Sequence, residues 1–207
     1  ARGLGDVYKR QGLQSDINYK KFTNKKLNAK IVPFRGEYYT LKKDADKLFN
    51  HLVYPVGNPK FPFLGVHFTR MINGEKEVGP NAVLAFKREG YRNSDISVKD
   101  MVDYLTYSGF LSFVGKNFKF CLNEFSTSFL KSSFLKKTQK LIPEIRSKDI
   151  NKGPAGVRAQ GIDTNGDLMM DFNVITEGKQ IHVINAPSPA ATSALSIADY
   201  IIDSYIS

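Results

Sequence analysis

Three histidines, a few well-placed arginines and one strand-to-helix stretch carry most of the chemistry available in these 207 residues. Imidazole is the side chain that changes charge near neutral pH, so His51, His67 and His182 are the candidate bases. His67 sits in the strand-like run Val-His-Phe-Thr (66–69), where a histidine ordinarily finds its partner within the sheet. Arg35 and Glu37 alternate with Phe34, Gly36 and Tyr38 in 31–39, which puts an opposite-charge pair on one face of an aromatic strand. Such a pair asks for a partner. Cys121 is the only cysteine; it excludes an intramolecular disulfide, cannot by itself build a zinc cluster, and fits a reducing compartment. No metal site is expected.

The stretch 181–192, Ile-His-Val-Ile-Asn-Ala-Pro-Ser-Pro-Ala-Ala-Thr, reads as the end of a buried strand, a turn and a helix start. Ser188 is placed as N-cap with Pro189 at the first helical position, and apolar residues recur at 191, 194, 195, 198, 202 and 205. Ala190, Ala191 and Ala194 would leave the first turn thin. A flat ligand could then approach its unpaired N–H groups and the positive end of the helix dipole. Strand, turn and capped helix are also ordinary features of any α/β protein. Gly3-Leu4-Gly5, by contrast, follows no apolar strand and lacks a third glycine, so it is no dinucleotide fingerprint.

The intervening elements follow from periodicity. Residues 1–11 look foreign to the rest, as a leader or translated adaptor, and 12–16 reads as a turn into a short helix capped by Ser15 or Asp16. Strands are expected at 31–39, 52–56, 63–70, 75–78 and 81–86, with 71–75 as a hairpin turn. The period becomes helical over 101–107, 110–120 and 122–142, ending at Pro143. Strands return at 155–162 and 171–176 around the turn 163–167. The fold class is α/β, with a largely antiparallel, meandering sheet and helices as its second layer.

Composition sets the outer bounds. With 42% hydrophobic and 12% aromatic residues the chain can bury a core in one domain or two small ones. No apolar run approaches the length of a membrane span. A net charge of +10 invites a polyanion or an anionic membrane surface, but the lysines are spread through 20–47 and 116–148 among Phe, Leu and Asn. No aromatic RNP strand or paired zinc ligands accompany them, so a nucleic-acid partner is not expected and a basic binding module ranks last. Tyr104, Tyr107, Phe110, Phe113, Phe118 and Phe120, with Lys116 and Lys119, could either fill the core or rest on an anionic membrane.

Five blocks carry a resemblance: Ile-Val-Pro-Phe-Arg-Gly-Glu-Tyr-Tyr (31–39), Phe-Pro-Phe-Leu-Gly-Val-His-Phe-Thr (61–69), Gly-Pro-Asn-Ala-Val-Leu-Ala-Phe-Lys-Arg-Glu-Gly-Tyr (79–91), Ala-Gly-Val-Arg-Ala-Gln (155–160) and Asn-Ala-Pro-Ser-Pro-Ala-Ala-Thr (185–192). They closely resemble the L-2-hydroxyglutarate oxidase/dehydrogenase family, within the wider FAD-dependent group that is similar to D-amino-acid oxidase. The resemblance covers residues 12–207. Members are about twice as long, so the chain resembles their carboxy-terminal half, without the GxGxxG Rossmann unit.

The resemblance implies a partial FAD-binding, Rossmann-like domain from 12–28 and 151–207, and a substrate domain from 29–150 whose sheet roofs the flavin. FAD contacts are implied for Gly12, Leu13, Asn185, Ala186, Pro187, Ser188, Ala190, Ala191 and Thr192. It implies oxidation of L-2-hydroxyglutarate to 2-oxoglutarate by hydride transfer to flavin, with His67 as base and Arg158, in its Gly-x-Arg setting, as carboxylate clamp. Arg35 and Lys87 compete for the distal carboxylate or for ion pairs with Glu37 and Glu89, and Tyr38 could donate a hydrogen bond or fill the core. An amine-oxidising flavoenzyme of the same group is the alternative. The electron acceptor would be oxygen or a membrane quinone, in a cytoplasmic protein with peripheral contact to the inner membrane. The chain alone is expected to hold FAD weakly and turn over nothing, since the Rossmann half supplies most polar anchors.

Overall fold

The computed structural model describes residues 12–57, 65–187 and 190–206. They gather into two compact units, one of residues 12–32, 101–113 and 159–206, the other of 33–100 and 114–158. The fold is mixed α/β with antiparallel sheets. Segment 101–113 groups with the first unit. Its aromatic residues explain why: Tyr104, Phe110 and Phe113 are all buried, and rings at helical spacing seek an interior.

The first unit opens with α1 (Ser15–Thr23), entered through a turn at Gly12 and followed by β1 (Ala29–Leu41), whose first residues belong here. Ser15 and Asp16, the alternative caps expected, both lie in the first helical turn. Gln14 holds the N-cap position without a side-chain bond. The buried Asp16 carboxylate accepts the N–H groups of Ile17 and Ile31 at 2.9 and 3.1 Å, tying helix to strand. Tyr19, Ile31 and Ile184 form the buried core beside β6 (Asn173–Glu177) and β7 (Gln180–Asn185), which pair antiparallel.

The second unit is built on a five-stranded sheet in which β1 is the central strand. It pairs antiparallel with β3 (Lys76–Gly79) and with β4 (Val83–Leu84), β3 carries β2 (His67–Arg70) on its other edge, and β5 (Ile150–Asp163) also pairs β1. The expected turn 71–75 joins β2 to β3, closed by Met71 N–H to Glu75 O at 2.7 Å. The run 52–56 is no strand: only Val53 bridges, to Phe68. Residues 63 and 64 lie outside the described residues.

The helical period resolves into α2 (Val98–Leu105), α3 (Ser108–Lys116), α4 (Phe118–Phe129) and α5 (Lys131–Thr138). Ser97 starts α2, its hydroxyl accepting the Asp100 N–H, while the Asp100 carboxylate accepts the Arg88 N–H. The long helix expected over 122–142 breaks at Leu130, which is extended, so two shorter helices cover the sheet. Phe134 from α5 joins Phe49, Val66, Phe68, Val78, Ile142, Ile145 and Ile150 in the core of this unit.

The last helix, α6 (Ala194–Tyr205), starts later than the sequence suggests. Residues 190–193 form a turn, Ala190 N–H reaches Pro187 O at 3.1 Å, and Ser193 takes the N-cap position. Ser188 and Pro189, the expected cap and first helical residue, lie outside the described residues.

Candidate active site

In the second unit the sheet brings together three residues singled out from the sequence. β2 aligns His67 with Gly79 of β3, and Gly79 lies against Tyr38 of β1. The glycine is required here: its φ is +148°, and a Cβ would stand 2.8 Å from the Glu37 carbonyl and 3.0 Å from the Tyr38 Cα. Gly79 thus lies between His67 and Tyr38 in the sheet and brings no side chain of its own. Arg158, on β5, which also pairs with β1, lies close enough for its charge to act on both the Tyr38 phenol and His67.

The electrostatics assign protonation states. His67 Nδ1 lies 2.9 Å from the Gly65 carbonyl. A carbonyl carries no proton, so Nδ1 is the donor and the neutral ring leaves Nε2 as an acceptor. Burial pushes the His67 pKa below its ordinary value, and the Arg158 charge adds to that against the opposing pull of the Gly65 carbonyl. The ring is thus neutral at pH 7. Burial raises the Tyr38 pKa, with Arg158 opposing, and the phenol keeps its proton as a donor. A neutral base, a guanidinium fork and a phenolic O–H together suit a small carboxylate bearing an ionisable neighbour.

Other sequence candidates take structural places. Arg35 is 1% exposed: its Nε donates to Glu37 at 3.1 Å, Nη1 to the Arg92 carbonyl at 3.2 Å, and Nη2 to the Asn93 side chain. Its ion pair with Glu37 follows the alternation that sets the two on one face of β1. Glu37 also accepts from Asn81 at 2.8 Å and Ser128 at 2.9 Å. Lys87 is exposed on the bend after β4. His51 is exposed as well, and His182 bonds Gln180 at 3.0 Å and meets the Tyr19 ring edge-on at 5.1 Å.

In the first unit the two segments proposed to meet a cofactor are neighbours. The Ser15 hydroxyl lies 2.8 Å from the Gly12 carbonyl and 2.6 Å from the Ile184 carbonyl, so the turn into α1 sits at the end of β7. Gly12 has φ of +78°, its backbone close to Ala159, and Leu13 is buried. Asn185 is engaged within this unit: its Oδ1 accepts the Gly161 N–H at 3.1 Å and its Nδ2 donates to Asp171 and Met169 carbonyls at 2.8 and 3.2 Å. Its side chain is buried and holds the strand end. Ala186, Ala191 and Thr192 are exposed, Pro187 and Ala190 half-buried. Ser193 makes no side-chain cap, so α6 begins with N–H groups that no N-cap side chain covers, behind small residues. These backbone donors fit an acidic or carbonyl-bearing ring edge.

The sequence missed Tyr54, whose ring stacks on His67, because 52–56 carries no feature that ties it to the histidine. The single signal was Val53, whose pairing places the next residue opposite His67.

No model of a known protein family matches the chain. Individual proteins do. An L-2-hydroxyglutarate dehydrogenase of Indibacter alkaliphilus is 49% identical over 186 residues, 90% of this chain and 47% of that protein. That of Escherichia coli K12 is 48% identical over 83% of the chain and 41% of its own length. The mitochondrial L-2-hydroxyglutarate dehydrogenase of Bos taurus is 49% identical over 85% of the chain and 39% of its own. The chain thus spans less than half the length of these curated relatives, and at this identity over nine-tenths of its residues it belongs to the L-2-hydroxyglutarate dehydrogenase family.

Proposed function

We propose that this chain contributes the substrate-side residues of an FAD-dependent oxidoreductase that converts L-2-hydroxyglutarate to 2-oxoglutarate. The observation that carries this reading is the convergence of His67, Tyr38 and Arg158 across β2, β1 and β5. Arg158 grips the carboxylate next to the reacting carbon with a bidentate fork. Tyr38 donates to the same carboxylate. His67 Nε2 takes the proton of the substrate hydroxyl, and the resulting imidazolium keeps Nδ1–H on Gly65. With Arg35 engaged by Glu37, Lys87 is the cation left for the distal carboxylate. A bound flavin would supply the hydride acceptor; Gly12, Leu13, Ala186, Pro187, Ala190, Ala191 and Thr192 are the residues of this chain proposed to hold it.

Arg158→Lys tests the clamp. Lysine keeps the charge and loses the fork, so in an active preparation kcat/KM for L-2-hydroxyglutarate should fall by about ten- to a hundredfold, the value of one charge-assisted bond pair. Flavin content should stay unchanged. Parallel loss of flavin and activity would remove Arg158 from the substrate site. Assays with glutamate and glycine distinguish the amine-oxidising alternative, which a preference for either amino acid would favour.

For the electron acceptor we infer oxygen or a membrane quinone, the latter reached by peripheral contact. No helix among the described residues is long and apolar enough to cross a membrane. The contact expected at 101–120 moves, because Tyr104, Phe110 and Phe113 are core residues. Instead Phe118, Leu122, Phe125 and Phe129 stand exposed along one face of α4, and residues 116–140 hold six lysines against one acid, Glu124, itself paired with Lys137. Apolar stripe and flanking positive charge match an anionic lipid surface. Sedimentation with phosphatidylglycerol vesicles should lose most bound protein in Phe125→Ser/Phe129→Ser, and Lys119→Gln should weaken binding about fivefold, the effect of about 1 kcal/mol per lysine. Wild-type binding by both would exclude this face.

A further inference from the structure

We propose that Tyr54 is a positioning residue for His67, its ring stacked on the imidazole so that Nε2 stays open toward a substrate hydroxyl. The proposal rests on the reading of His67 as the base. Its geometry starts from the backbone. Val53 and Phe68 exchange N–H···O bonds of 3.1 and 2.9 Å in an antiparallel bridge. In that register the residue after Val53 stands across from the residue before Phe68, so Tyr54 opposes His67. The two rings lie 4.4 Å apart between centroids and 19° from parallel. Tyr54 is nevertheless 44% exposed and lies outside the core cluster of this unit, whose neighbouring contributor is Val53. An aromatic ring held half in solvent against a histidine contributes little to the core. It serves the histidine.

Two restraints act on the imidazole. The Nδ1–H bond to Gly65 fixes one edge, and the Tyr54 ring covers one face. Either alone permits motion: a single hydrogen bond lets the ring swing about its donor, and a stack alone permits the half-turn that exchanges nitrogen and carbon positions, because this torsion is broad. Together they leave one orientation. The π-face of Tyr54 also offers a favourable surface to the imidazolium formed when Nε2 is protonated.

Histidine nitrogen spectra of the 207-residue chain, recorded above the imidazole titration and assigned with His51→Gln and His182→Gln, read this directly. Wild type and Tyr54→Phe should show His67 as one tautomer protonated at Nδ1, with its carbon-bound protons shifted by the neighbouring ring. Tyr54→Ala, and Tyr54→Leu in case the smaller residue unfolds the segment, should lose the shift and show a mixture of tautomers. In an active preparation the same two variants should lose about ten- to a hundredfold in kcat with KM nearly unchanged, and Tyr54→Phe should restore the rate. An unmixed Nδ1–H tautomer and full kcat in Tyr54→Ala or Tyr54→Leu would overturn the proposal. Full activity in His67→Gln would instead overturn the base assignment, with the spectra still deciding whether Tyr54 holds the ring.

Discussion

His67→Gln should lower kcat for L-2-hydroxyglutarate by about a hundred- to ten-thousandfold, the usual contribution of a positioned general base. Glutamine is polar and close in volume, so the sheet should stay intact while the basic nitrogen at Nε2 disappears. KM should change little, because the carboxylate grip belongs to Arg158. The pH profile of the unaltered protein carries the same information. Activity requires the neutral ring, and the His67 pKa lies below its ordinary value of 6.5, chiefly through burial. Activity should therefore persist as pH falls past 6.5 and be lost only as it drops through the depressed value. An acid limb above 6.5, or a His67→Gln variant with full kcat, would assign the proton transfer to another group.

Arg35→Met should destabilise the second unit by about 3–5 kcal/mol, the effect of leaving a buried charge without its partner. Glu37 would keep its bonds from Asn81 and Ser128 and lose the only cation it is shown to contact. Adding Glu37→Gln removes the stranded charge, and the double variant should recover a large part of the loss. Chemical denaturation followed by the tyrosine signal measures both. The result separates two roles that the sequence left open: a substrate-binding Arg35 would give a folded, equally stable Arg35→Met with a raised KM. Strong destabilisation rescued by Glu37→Gln marks Arg35 as part of the scaffold that carries Tyr38 on the next position of β1.

Local pattern alone determined a good deal of this protein. Alternation placed β1, β2 and β7, the Asn-Gly signal placed the hairpin between β2 and β3, and the switch to helical period after Ser97 placed α2 onward, because these features depend on side chains a few residues apart. Alternation also set Arg35 and Glu37 on one face. Only the tertiary structure decided what that face meets: Arg92, Asn93, Asn81 and Ser128 come from segments 44 to 91 residues away from Glu37 or Arg35, and they enclose the pair. The same holds for Asn185, whose amide bonds Gly161, Met169 and Asp171, and for the late start of α6, where residues 190–193 form a turn and Ser193 takes the N-cap position. Burial divided the aromatic run, sending Tyr104, Phe110 and Phe113 into a core and leaving Phe118 outside. The meeting of His67, Tyr38 and Arg158, with Tyr54 over the imidazole, depends on strand register and on a glycine at 79, and register is a relation between distant segments that no local spacing encodes.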